Sequence, residues 1–117
     1  MKLITSQILN KIKKTPLSST DGKPNAKCIV KFFNPCGRGT WYAFEGEVQE
    51  NGDILFFGIV DLFDKEYGYF TLSELQSVQL PFGLKIERDM YYTPQTKEEI
   101  MSMYYERCYY TGFSIRS

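Results

Sequence analysis

Two short apolar runs separated by a polar link constrain the fold of this chain more than any other feature. The runs span residues 54–60 and 67–72, and the link between them carries Asp61, Asp64 and Glu66. Each run is rich in aromatic and β-branched residues and has one interior glycine, a composition typical of strands in which glycine marks a bulge or a close backbone approach. Their length and flanking turn residues favour two adjacent strands over one buried helix.

Capping residues predict three helices. The first begins at Thr5 or the serine that follows it and extends to about Lys14. The segments 71–74 and 96–99 each read Thr-x-x-Glu, the capping box that begins a helix. We expect the first box to open a short helix and the second to open a C-terminal helix that extends to about residue 108.

Strands linked by hairpins make up most of the remaining pattern. They are predicted at residues 27–33, 40–48 and 84–88, and Asn51-Gly52 is a typical hairpin turn before the central runs. Such strands, with helices at both ends of the chain, indicate an α+β fold. We predict a single domain over 1–117: an antiparallel meander of about five strands, with an N-terminal, a short and a C-terminal helix over one face.

Composition excludes several classes of function. The chain has 117 residues, with nine Phe, nine Tyr and one Trp, enough for a core without disulfides or metal. It has no histidine, which excludes Ser-His and Cys-His catalysis and any metal site with a histidine ligand. Cys28, Cys36 and Cys108 form no CxxC pair and indicate reduced thiols. With no membrane span or signal peptide in the pattern, we expect a cytoplasmic protein without cofactors.

Charge is balanced over the whole chain but segregated along it. Residues 1–44 carry eight basic residues and one acid, a net charge of +7, and residues 45–117 carry six basic residues and thirteen acids, a net charge of −7. One interpretation is that the fold brings the two halves together and the charges neutralise one another locally. The other is a small domain with a basic face and an acidic face.

Four segments of the sequence are distinctive when taken together: Trp-Tyr-Ala at 41–43, Leu-Phe-Phe-Gly-Ile-Val-Asp at 55–61, Gly-Tyr-Phe-Thr-Leu-Ser-Glu-Leu at 68–75 and Pro-Phe-Gly-Leu-Lys-Ile-Glu-Arg-Asp at 81–89. In these segments the chain resembles a family of small bacterial and phage proteins catalogued as a domain of unknown function, common on plasmids, conjugative elements and prophages. The resemblance covers about residues 1–94, so that 95–117 are expected to be a C-terminal helix and tail outside the family-like core. Some members are similar to anti-CRISPR proteins that block the single-effector nuclease of type II systems. The resemblance therefore implies a mobile-element protein that inhibits a host defence by binding, and it carries over no active site.

Seven residues are the predicted contacts with a protein partner: Trp41, Tyr42, Glu45, Asp61, Asp64, Glu66 and Arg88. Strand neighbours point to opposite faces, so one ring of Trp41-Tyr42 is expected in the core and the other is expected to anchor the partner. The four acids in this set, together with Glu47, are predicted to form an acidic surface that meets the basic channel of a type II CRISPR effector with its guide RNA. Arg88 is expected to pair with a neighbouring acid or with Glu66, or to lie at an interface rim.

Nucleic-acid binding by a plasmid, phage or conjugative-element accessory protein is the alternative function. Its predicted surface is basic and takes Tyr42 as a stacking ring. The basic residues that could line it are Lys11, Lys13, Lys14, Lys23, Lys27, Lys31 and Arg38. No sequence fingerprint of an RNA- or DNA-binding fold accompanies these residues. The two functions differ in their dependence on salt, because phosphate contacts weaken steeply as salt rises.

Two further hypotheses concern chemistry and self-association. The carboxylates of the polar link could act in acid–base catalysis or hold a divalent cation, but the link lacks the ligand spacing of a calcium site, so we predict no catalytic residue and no metal. Tyr104, Tyr105 and Tyr109 on the last predicted helix cannot all be buried on one helix face. Homodimerisation through this helix is therefore considered.

Overall fold

A five-stranded antiparallel sheet forms the centre of the fold. The computed structural model describes residues 2–103. The strands are β1 (Val30–Phe33), β2 (Thr40–Val48), β3 (Ile54–Asp61), β4 (Lys65–Thr71) and β5 (Glu87–Arg88). The helices are α1 (Ser6–Lys14), α2 (Leu72–Ser77) and α3 (Lys97–Ser102), and a short 3-10 turn spans Pro81–Gly83. The predicted α+β class is confirmed.

The strand order is β4-β3-β2-β1-β5, with every neighbouring pair antiparallel. The first four strands form the predicted meander. The fifth does not continue it, because the chain returns after α2 to the other edge of the sheet, where Arg88 pairs with Phe32. Within the described residues, β4 and β5 are therefore the two edges of the sheet.

The helices begin where the capping residues predict. The Thr5 hydroxyl accepts a hydrogen bond from the Ile8 N–H at 3.2 Å, and α1 ends with its lysines in the last turn, next to the negative end of the helix dipole. Both predicted capping boxes are present, at Thr71 and at Thr96, each with its glutamate three residues later. The predicted continuation of α3 to about residue 108 lies outside the described residues.

The sheet buries side chains on both of its faces. Along β2 the side chains alternate: Ala43 belongs to one core cluster, which also contains Ile12 of α1 and Leu75 of α2. Tyr42 belongs to a second cluster, which contains Ile100 of α3. We call these sides the first face and the second face. The expectation that all helices cover one face is therefore wrong for α3, because Ile100 packs on the side opposite α1.

The described residues bear on two further expectations, the absence of a membrane span and the presence of reduced thiols. None of the helices within residues 2–103 has the length and apolar character that a bilayer crossing requires. Cys28 is buried, and burial raises the pKa of its thiol to about 12. The thiol donates a hydrogen bond to the Val30 carbonyl oxygen. Cys36 is exposed in the turn between β1 and β2, and Cys108 lies outside the described residues.

The two central glycines face each other across β3 and β4 but have different surroundings. A Cβ on Gly58 would lie 1.8 Å from the carbonyl oxygen of Tyr42, whereas a Cβ on Gly68 would meet no atom within 4 Å. Gly58 also pairs with Ala43, next to a register shift between Ala43 and Glu45. The predicted close backbone approach is therefore confirmed at Gly58 and wrong at Gly68.

These surroundings predict opposite outcomes for the same substitution. Gly58→Ala must push β2 and β3 apart, and we expect it to lower the free energy of unfolding by at least about 3 kcal/mol. Gly68→Ala is the matched control, since it adds the same methyl group to the paired strand in open space, and we expect a change within about 1 kcal/mol. Urea unfolding of both variants measures the difference, and equal midpoints would contradict the close approach.

Candidate binding surface

Three aromatic side chains form a stacked row on the second face, next to the β4 edge. The ring centroids of Phe57 and Tyr67 are 6.1 Å apart with the planes nearly parallel, and those of Phe57 and Tyr69 are 5.0 Å apart with the planes tilted. Tyr67 is 48% exposed and Tyr69 is 64% exposed. We call Phe57, Tyr67 and Tyr69 the aromatic surface, because it combines large apolar rings with access to solvent.

A buried lysine supports the aromatic surface from behind. The Lys97 ammonium lies 5.8 Å from the ring centroid of Phe44 and 5.9 Å from that of Tyr67, both within cation–π range. It also donates a hydrogen bond to the Thr20 carbonyl oxygen at 2.7 Å. Burial raises the pKa of the Tyr67 hydroxyl, so this ring stays neutral at physiological pH. The lysine therefore fixes the position of Tyr67 without presenting its own charge to solvent.

A shallow depression of about 380 Å³ lies beside these rings, between the sheet and the loop that follows α1. Its walls are made by Phe57 and Tyr67 on the sheet side, Lys97 at the base, and the exposed segment 21–24 on the loop side. That segment contains one acid and one lysine together with a proline. The rim of the aromatic surface therefore carries both signs of charge.

The loop side of this depression is held by a buried carboxylate. Glu45 is 1% exposed and accepts hydrogen bonds from the Ser18 N–H at 2.6 Å, from the Thr20 N–H at 2.9 Å and from the Thr20 hydroxyl. Burial by itself raises the pKa of the Glu45 carboxyl, but these hydrogen bonds and the positive charge of Lys97 outweigh it and hold the pKa below its ordinary value of 4.5. Glu45 is therefore a carboxylate at neutral pH that fastens the loop to β2.

The predicted acidic surface is incomplete, because two of its five members are buried. Glu45 binds the loop as described above. Asp61 is fully buried and accepts a hydrogen bond from Arg38 at 2.9 Å, with the two side chains joined in an ion pair. Glu47, Asp64 and Glu66 are exposed. The prediction is wrong for Glu45 and Asp61, because β2 and β3 point these side chains inward, where they pair with groups of the fold.

Trp41 and Tyr42 point to opposite faces, as the strand alternation predicts. Trp41 is half-buried against the first core cluster, and Tyr42 is only 2% exposed in the second. Tyr42 is therefore the ring in the core, and Trp41, which is only half-buried, stays the predicted anchor. Burial also removes Tyr42 as a stacking ring for nucleic acid.

The predicted basic surface is divided between different sides of the molecule. Lys11, Lys13 and Lys14 are exposed on α1, over the first face. Lys31 points to the second face, where it lies 3.4 Å from Asp89 and 5.5 Å from the ring centroid of Tyr42. The side chain of Arg38 is bound to Asp61. The ion pairs Lys31–Asp89 and Arg38–Asp61 each join the basic half of the chain to the acidic half, as the local-neutralisation interpretation expects.

Arg88 is separated from Glu66 by the full width of the sheet. The paired residues Glu66, Val60, Trp41, Phe32 and Arg88 form one row across all five strands. Four strand spacings place its two ends about 19 Å apart. The predicted Arg88–Glu66 pair is therefore wrong, and Arg88 instead donates a hydrogen bond to the Lys2 carbonyl oxygen at 2.6 Å.

Two remaining hypotheses concern metal binding and self-association. Within residues 2–103, no group of three or more His, Cys, Asp or Glu side chains is placed to hold a metal ion. Tyr104, Tyr105 and Tyr109 lie outside the described residues, so homodimerisation through them stays a prediction.

Comparison with known proteins places the chain in a family. Residues 3–113 match a family described as a protein of unknown function, DUF2958. The chain belongs to this family. The match extends past residue 94, where the resemblance was expected to end, and so includes α3 and most of the segment after it. No curated protein and no solved structure matches the chain.

The sequence reasoning missed Tyr67 and Tyr69, which are the most accessible rings of the aromatic surface. The signal for them was present: they are two residues apart on a predicted strand and therefore share a face. Their exposure, however, depends on the position of β4 at the edge of the sheet. β4 is an edge strand because the chain carries β5 to the opposite edge instead of pairing it with β4. That return is a property of the whole fold, so the local pattern could not show that these rings reach solvent.

The buried carboxylate makes a prediction about stability. Glu45→Gln replaces one accepting oxygen by an NH₂ group that faces the donors of Ser18 and Thr20, and we expect it to lower the free energy of unfolding by about 1–3 kcal/mol at neutral pH. Glu47→Gln is the matched control two residues along the same strand, where the carboxylate is exposed and we expect a change within about 0.5 kcal/mol. Equal urea midpoints for the two variants would contradict the role of Glu45.

The same group predicts a dependence on pH. Because the pKa of Glu45 is lower in the folded than in the unfolded chain, its contribution is present above about pH 4.5 and is lost as the pH falls through the folded pKa. The free energy of unfolding should therefore fall more steeply on acidification in the wild type than in Glu45→Gln. Urea unfolding of both proteins from about pH 7 to about pH 3 measures the two slopes.

Proposed function

We propose that this protein is a non-enzymatic binding protein that contacts a protein partner through the aromatic surface. The observation that carries the proposal is the exposure of Tyr67 and Tyr69 in a row whose geometry is already set by Phe57 and Lys97. Tyrosine is among the residues that contribute most to protein interfaces. Rings that are ordered before binding lose less conformational entropy when a partner is bound.

The charges around the aromatic surface favour a protein over a nucleic acid as partner. A nucleic-acid surface needs an excess of lysine and arginine that can reach phosphates. Here Asp21 and Lys23 stand together on the loop side of the depression, and Lys97 is buried with its ammonium directed at a carbonyl oxygen and two rings. A rim of mixed charge around an apolar centre is the usual composition of protein–protein interfaces.

The resemblance of the sequence to small phage and plasmid proteins gives the proposal its specific form. In that form the chain is a mobile-element inhibitor of the anti-CRISPR type, and its partner is the single-effector nuclease of a type II system with its guide RNA. Inhibition would be steric. Since two of the five predicted acids, Glu45 and Asp61, are buried, the contact would depend on the rings more than on negative charge.

A binding and cleavage assay tests this form directly. The chain is immobilised and exposed to a type II effector loaded with guide RNA, and cleavage of a matched DNA target is measured with and without the chain. Removing two interface tyrosines should weaken binding at least about 30-fold, so we expect Tyr67→Ala/Tyr69→Ala to lose both binding and inhibition. Tyr91→Ala is the matched control, because Tyr91 is 89% exposed but lies outside the aromatic surface.

The outcomes separate the specific form from the general proposal. Absence of binding together with undiminished cleavage would end the anti-CRISPR form. Binding that survives the double tyrosine substitution would show that another surface makes the contact. Binding of single-stranded DNA or RNA that weakens steeply as salt is raised would instead support the nucleic-acid alternative.

A further inference from the structure

The outer edge of β4 has the features of a strand that pairs with another chain. Within the described residues β4 pairs only with β3, so its other side presents backbone N–H and C=O groups with no strand beside them. The strand is seven residues long, contains no proline, and keeps its register with β3 from Lys65 to Thr71 without a shift. A long, regular edge is the kind that adds a further strand.

The opposite edge of the sheet lacks these features. β5 has only two residues, and the side chain of Arg88 binds the carbonyl oxygen of Lys2 near the N-terminus. Short edge strands and charged side chains are common means of preventing pairing between chains. The two edges of the same sheet therefore differ, and only β4 is long and regular.

We infer that β4 pairs antiparallel with β4 of a second copy of this chain, about a two-fold axis at Gly68. The sequence around that glycine is symmetric, Tyr67-Gly68-Tyr69. In this register Tyr67 lies opposite Tyr69 of the second copy, and Tyr69 lies opposite its Tyr67. Two aromatic cross-strand pairs form at once, and such pairs stabilise antiparallel sheets. The axis lies at Gly68, where an added Cβ would meet no atom within 4 Å. The backbones of the two copies can therefore approach each other at this residue.

The charges of β4 fit the same register. The charged residues Lys65 and Glu66 both lie at the start of the strand. Antiparallel pairing about Gly68 places them opposite Thr71 and Phe70 of the second copy, so that no like charges face each other. The two copies of Lys65 are then at opposite ends of the pair, about 20 Å apart. The two α2 helices, each of which follows its own β4, are likewise carried to opposite ends.

Pairing through the edge leaves the second face of the sheet accessible. The two five-stranded sheets would join into one sheet of ten strands, and the two copies of the aromatic surface would lie side by side across the axis. Both contacts involve Tyr67 and Tyr69, but the pairing of two copies is measured with no other protein present, so its failure and the failure of the proposed function are distinguishable.

A pair of charge variants tests both the pairing and its register. Sedimentation equilibrium of the full wild-type chain should show a mass that rises from one copy to two as its concentration reaches the micromolar range. Tyr67→Glu/Tyr69→Glu places an introduced glutamate opposite an introduced glutamate twice, and we expect dimerisation to weaken at least about tenfold. Tyr67→Glu/Tyr69→Lys places opposite charges at the same positions and should dimerise more tightly than the double glutamate variant.

Each result decides the inference. A wild-type chain that stays monomeric in the upper micromolar range would overturn it. Dimerisation of the double glutamate variant as tight as the wild type would overturn it as well and would place the interface elsewhere. Equal weakening of the two charge variants would overturn the register about Gly68. Thermal unfolding of both charge variants checks that they fold. The two variants share Tyr67→Glu and differ only at the exposed Tyr69, so we expect them to unfold at similar temperatures.

Discussion

The buried carboxylate of Glu45 is the interaction on which the second face of the sheet depends. Removing a charge from water is unfavourable, and here three hydrogen bonds and a nearby lysine offset that loss. The loop that Glu45 holds is largely exposed and polar between residues 21 and 25, so apolar packing alone would not fix it. The same loop supplies the Thr20 carbonyl that orients Lys97, and Lys97 in turn supports Tyr67. The position of Tyr67 in the aromatic surface therefore depends, through the loop and Lys97, on the buried carboxylate of Glu45.

The local elements could be predicted from the sequence because their causes are local. Thr71 and Thr96 each begin a helix through a glutamate three residues away, and the turn at Asn51-Gly52 joins two strands that pair directly. The site could not be predicted in the same way. In β2 the register shift at Phe44 places both Phe44 and Glu45 on the second face. Simple alternation along the strand puts Glu45 on the side of Trp41, so the burial of its carboxylate depends on a bulge that the side-chain pattern does not reveal.

Some charged side chains are buried where the sequence suggests exposure, and some aromatic side chains are exposed where the sequence suggests burial. A segregated charge distribution suggests contacts with another molecule, yet Asp61 and Glu45 hold Arg38 and the loop within the fold. An aromatic run suggests core, yet Tyr67 and Tyr69 reach solvent because β4 lies at the edge of the sheet. The reason is the same in both cases. Covering two faces of one sheet with a polar loop and short helices requires internal polar contacts, and on the second face this small cover leaves Tyr67 and Tyr69 of β4 partly exposed.

The face and the edge of β4 present different groups to solvent, which allows one strand to serve two contacts. The face presents the rings of Tyr67 and Tyr69, and the edge presents backbone groups perpendicular to them. An edge that served no contact would be expected to carry inward charges, proline or a bulge, and between Tyr67 and Thr71 this strand has none of them. If two copies join at this edge, their aromatic surfaces point the same way and are held at a fixed separation. A partner that offers two equivalent sites would then be bound more tightly by the pair than by a single copy, because binding at the first site raises the effective concentration at the second. No additional contact on either surface is needed.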